Sequence, residues 1–66
     1  MVQFAVTLKE AEWTVFKNGA VVAQGMSRSR AIEQAESLAH AAVEAGEEVE
    51  LLVQDYTGQL TNRRAL

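Results

Sequence analysis

The hydrophobic positions change period near Gly25. Before it they alternate. Val2, Phe4, Val6 and Leu8 are interleaved with Gln3, Ala5 and Thr7, the period-two pattern of a half-buried strand. Lys9, Glu10, Ala11 and Glu12 form a polar interruption that predicts a turn. Trp13, Thr14, Val15 and Phe16 are β-favouring, and Asn18-Gly19 then supplies the residue pair that a hairpin turn with two positive φ angles requires. Residues 20–24 read as the returning strand, after which Gly25 and Met26 leave the sheet. From there Ile32, Ala35, Leu38, Ala39, Ala42 and Val43 recur at helical spacing and predict one amphipathic helix. Ser27 or Ser29 caps its start, and Gly46 supplies the left-handed residue past its end. Val49, Leu51 and Val53 alternate again, Asp55 to Gly58 reads as a tight turn, and residues 59–62 are a candidate fifth strand with Leu60 inward. The residues after it are expected to fray.

The two hairpin turns test each other's register. A two-residue turn at Asn18-Gly19 pairs Lys17 with Ala20, Phe16 with Val21 and Val15 with Val22. A four-residue turn over 9–12 pairs Leu8 with Trp13 and Val6 with Val15. Both turns place Phe4, Val6, Leu8, Trp13, Val15 and Val22 on one face, which leaves Ala5, Phe16, Val21 and Ala23 on the other beside Gln3, Thr7 and Thr14. The expected fold class is α+β, with order β-β-β-α-β(-β) and one helix on one face of a four- to five-stranded, mostly antiparallel sheet. The strand after the helix runs parallel to the strand before it, across a crossover expected to be right-handed. Placing it beside the first strand gives the order 3-2-1-4-5, preferred over 1-2-3-4.

Composition narrows the function classes. Sixty-six residues make one domain, spanning 1–66, with a small core. The chain has no Cys and one His, so neither a disulfide framework nor a structural zinc site is expected. No cofactor motif and no catalytic constellation is visible. The net charge of −3 argues against a general nucleic-acid binder, because attraction to phosphate supplies most non-specific affinity. No long apolar run predicts a membrane span, no secretory signal is visible, and the expected compartment is the cytoplasm.

A family resemblance follows from particular residues. Val6, Trp13-x-Val15, Gly19, the run Ala31-Ile32-Glu33-x-Ala35, Leu38-Ala39 and the ending Val53-x-x-x-x-Gly58-x-Leu60 resemble a family of small bacterial domains of unknown function. The resemblance covers nearly the whole chain and rests on core and turn positions. It implies the same small α+β architecture and no catalytic residues. The helix of this chain is more acidic than the family pattern, and Gln59-Leu60 stands where the family often has a basic residue and Ile.

Four features carry candidate chemistry. Ser27, Arg28, Ser29 and Arg30 sit at a helix start, where free N–H groups attract anions. The structural alternative is that Arg30 pairs with Glu33 or Gln34 and Arg28 is solvated. His40 lies one turn from both Glu36 and Glu44, which describes a helix-surface ion pair better than a general base. Asp55, Tyr56 and Thr57 fit ordinary turn chemistry. The face of the sheet away from the helix collects Ala5, Phe16, Val21, Ala23 and Leu52 with nothing in the chain to cover it. Two functions follow. One is a non-catalytic protein-interaction module, most simply a homodimer through that face or an edge strand. The other is an anion or nucleic-acid binder using Arg28, Arg30, Arg63 and Arg64.

Overall fold

A computed structural model describes residues 1–62 of the chain. The elements are β1 (Val2–Lys9), β2 (Glu12–Lys17), β3 (Ala20–Met26), α1 (Arg28–Glu44), β4 (Val49–Gln54) and β5 (Leu60–Asn62). They form a five-stranded sheet of order β3-β2-β1-β4-β5, as the pattern predicts. Among the described strands only the β1–β4 pair is parallel. The chain end expected to fray, residues 63–66, lies outside the described residues.

The core sits between the sheet and α1. Phe4, Val6, Val15, Leu51 and Val53 point at the helix and are at most 3% exposed. The helix answers with Ala31, Ile32, Ala35, Ala39 and Ala42. Small side chains let its backbone approach the strands closely, and Ile32 and Leu38 fill the remaining gaps. Val43, expected on this stripe, is 39% exposed, because one turn past Ala39 the helix face has already rotated away from the sheet.

Both helix ends are closed by local chemistry. Ser27 is the cap. Its Oγ accepts the Arg30 amide at 3.3 Å, and its carbonyl accepts the Ala31 amide at 2.9 Å. At the far end Gly46 takes φ +86°. Its amide donates to Val43 O at 2.9 Å and the Glu47 amide donates to Ala42 O at 3.0 Å, the paired bonds of a Schellman motif.

The hairpins keep the predicted register on β1 and change it on β3. Leu8 lies opposite Trp13 and Val6 opposite Val15. The first turn is tighter than the expected four residues, because Lys9 also pairs with Glu12. Glu10 and Ala11 are left to turn the chain at φ 51° and 67°. Lys17 pairs with Ala20 and Phe16 with Val21 as predicted, but Val15 pairs with Ala23 instead of Val22, and Trp13 pairs with Met26. Two extra residues on β3 therefore make two bulges, the second containing Gly25 at φ +78°. Met26 consequently stays in the sheet, where residues 25 and 26 were expected to leave it.

Candidate interaction surfaces

Among the described residues no element covers the face of the sheet opposite α1. Reading the registers across it gives one continuous row: Val21 beside Phe16, Phe16 beside Ala5, Ala5 beside Leu52, and Leu52 beside Asn62. Four of its five members are apolar, and they come from four different strands. Polar rows flank it. On one side Gln3 Nε2 donates to Glu50 Oε1 at 2.8 Å, and Asn62 Nδ2 reaches Glu50 Oε2 at 3.3 Å. On the other lie Thr14, Thr7 and Gln54, with Leu60 at the end beside Gln54. Ala5, Phe16 and Leu52 are half-buried, Thr14 in the flanking row is 2% exposed, and Val21 at the edge is 46% exposed.

Four of the five residues expected on this face are there. Ala23 is not. The first bulge sets it opposite Val15, and it packs against the core on the helix side. Leu60, expected to point inward, is paired with Gln54 and is 51% exposed on the open face. The cause is the register of β5, which places Thr61 beside Val53 on the helix side.

At the helix start the four candidate anion ligands separate. Ser27 is spent on capping. Arg28 folds back over the sheet, with its guanidinium carbon 5.6 Å from the Trp13 ring centroid and 5.2 Å from that of Tyr56. Its Nη2 donates to Gln54 O at 3.4 Å, and its buried Nε has no hydrogen-bond partner among the described residues. The cation thus ties α1 to the ends of β2 and β4 by cation–π contact. Ser29 and Arg30 are exposed, and Arg63 and Arg64 lie outside the described residues. The pair of cations expected at the helix start is therefore one engaged arginine and one on the open surface. The stack of Trp13, Arg28 and Tyr56 is not legible as a motif, since its members come from three elements far apart in the chain.

The turn after β4 is held by one carboxylate. Asp55 Oδ1 accepts from Thr57 Oγ1 at 2.6 Å, Thr57 N at 2.9 Å and Gln59 N at 3.1 Å. The Thr57 hydroxyl bond, joined by hydrogen bonds from the backbone amides, holds the Asp55 carboxyl below its ordinary value against the opposing effect of desolvation. Gly58 closes the turn at φ +90°. His40 is exposed on the helix.

A groove also lies on the helix side. The helix packs mainly on β4, β1 and β2 and least on β3. This leaves a space of about 460 Å³ whose lining includes Phe4, Val22, Leu38 and Ala41 with Lys17 and Glu47. Val22 is on the helix side as the pattern predicts, yet 47% exposed, because α1 does not reach across to it.

Among the described residues no group of three or more His, Asp or Glu side chains is placed to hold a metal ion. None of their helices is long and apolar enough to cross a membrane. Comparison with known protein families, curated proteins and solved structures finds no match to this chain.

Proposed function

We propose that this chain is a small cytoplasmic, non-catalytic interaction module that pairs with a second copy of itself through the open face of the sheet. The observation that carries the reading is the apolar row from Val21 through Phe16 and Ala5 to Leu52, bounded on both sides by polar rows. A two-fold axis lying along that row sets it against its own copy and lets each polar row meet the other. Sheets packed this way sit about 10 Å apart with inner side chains interdigitating. The edge strands serve self-pairing less well. β3 is bulged, and β5 has three residues.

Area sets the expected strength. Five strands at about 4.8 Å spacing and three rows of side chains offer about 500 Å² per copy. A dimer then buries about 1,000 Å² in total, at the weak end of specific interfaces. The association is therefore expected to be reversible, with a dissociation constant of about 10–100 μM.

Sedimentation equilibrium over a concentration series spanning that range tests this. The wild type should move from monomer to dimer. Phe16→Asp and Leu52→Asp should each stay monomeric and folded by circular dichroism, while Glu33→Lys on the exposed side of α1 should still dimerise. A wild type that stays monomeric throughout, or both open-face variants dimerising like it, overturns the reading.

A further inference from the structure

The helix-side groove and the strand that borders it have a joint consequence. β3 is an edge strand of seven residues without a charge or a proline, two of the usual devices that keep edges from pairing. Its hairpin is closed by the Lys17–Ala20 pair. The alternation of an antiparallel ladder then turns the N–H and C=O of Val21 outward, toward the free edge. Beside that edge lies the groove between β3 and α1, apolar along Val22, Leu38 and Ala41. A free strand edge next to an apolar groove is the arrangement by which a sheet accepts an added strand, with main-chain bonds for affinity and the groove for side-chain selection.

Charge indicates what the added strand carries. Glu44, Glu47 and Glu48 are exposed around the end of α1, the last helical turn has no basic residue, and among the described residues Lys17 is the one cation lining the groove. The helix C-terminus adds its own partial negative charge. We propose that the β3–α1 groove binds an extended peptide segment of another protein, an apolar side chain lying over Val22 and Leu38 and a Lys or Arg side chain reaching Glu47. The bulges of β3 favour a flexible peptide, which follows an irregular edge, over a second copy of β3, which has to match the irregularity in register. This surface is separate from the open face and goes beyond the self-association described above.

The probe is a random heptapeptide library displayed on phage and selected against the full chain, with enriched peptides synthesised and titrated into the isotopically labelled protein. The expected hits carry one apolar residue beside a Lys or Arg. They should shift the amides of residues 20–24 and 38–45, and bind more weakly as salt rises. Val22→Lys and Ala41→Arg should each weaken binding about tenfold or more, and Glu47→Gln about threefold, whereas Phe16→Asp should leave it unchanged. Two substitutions, one on the strand and one on the helix, guard against a folding defect in either. The proposal is overturned by a selection that enriches nothing, by shifts confined to the open face, or by hits that bind both groove variants as tightly as the wild type.

Discussion

The two faces of the sheet are built from the same strands with the same alternation, yet they do different work. On the helix side Phe4, Val6, Val15, Leu51 and Val53 are at most 3% exposed, and alanines on α1 bring the second layer down onto them. On the other side Ala5, Phe16 and Leu52 are only half-buried, and no described element lies over them. Period-two patterning sorts side chains between faces and says nothing about whether a face is covered. The buried apolar core is therefore concentrated on one side of the molecule, and the other is the face proposed above for self-association.

The largest expected effect separates the two phenylalanines. Phe4 is 2% exposed in the core, and Phe4→Ala should cost about 3–5 kcal/mol. A domain of this length has about 3–10 kcal/mol of stability in all, so the loss is a large fraction of the total. Phe16→Ala, measured at a concentration low enough to keep the chain monomeric, should cost about 1 kcal/mol. Urea denaturation of both variants gives the contrast, and equal losses would mean that the open face contributes to the core after all.

Overfilling is the next test, and it again uses one residue type on both faces. Ala39 is fully buried beneath α1, and Ala39→Leu has to push the helix off the sheet, at a cost of about 1–3 kcal/mol. Ala5→Leu extends a side chain into the uncovered space and should change monomer stability by less than about 0.5 kcal/mol. The same urea measurements decide it. A large loss for Ala5→Leu would show that the open face is packed more tightly than its lack of a second layer implies.

A third test is a substitution that should stabilise the chain without touching either face. Ala11 holds φ 67° in the turn between β1 and β2, a conformation that costs an L-residue about 1 kcal/mol. Ala11→Gly relieves it and should raise the melting temperature by about 4–8 °C. Its dimer dissociation constant should equal that of the wild type, which makes it the background in which the costly Phe4→Ala exchange is best measured.

That turn also shows where the sequence is readable. Asn18-Gly19 announces its turn because both residues tolerate positive φ, and Ser27, Gly46 and Gly58 mark their places for similarly local reasons. Glu10 and Ala11 adopt nearly the same backbone angles with no such preference, since the registry of two good strands imposes the tight turn on them. The bulges of β3 are harder still. Gly25 hints at one, but the extra residue at Val22 has no local signature, and it carries Ala23 from the open face to the core. Four of the five open-face residues were nonetheless legible, because their alternation is set by β1, β2 and β4 and by the Phe16–Val21 pair, which lies before the first bulge. The contact of Arg28 with Trp13 and Tyr56 exists only once three elements have been assembled.

The smallest expected effect concerns the turn that ends the row of Thr14, Thr7 and Gln54. Gln54 Nε2 donates to Gly58 O at 3.3 Å, so the open face at this corner leans on the loop that Asp55 organises. Hydrogen bonds from Thr57 and the following amides favour the ionised carboxylate, so Asp55 titrates lower in the folded chain than the ordinary 3.8 it has when unfolded. A depressed carboxylate adds stability that is fully present above the unfolded value and lost as pH falls through the folded one. Asp55→Asn keeps an acceptor oxygen and removes the titration. The gap between wild-type and variant urea midpoints should then be constant from neutral pH down to about pH 5 and close progressively below the ordinary 3.8. A gap that stays unchanged to pH 2 would mean the charge on Asp55 adds nothing and the turn is held by hydrogen-bond geometry alone. A gap that closes, with the dimer constant unaltered above pH 5, would show that this corner supports the open face through the loop and takes no part in association.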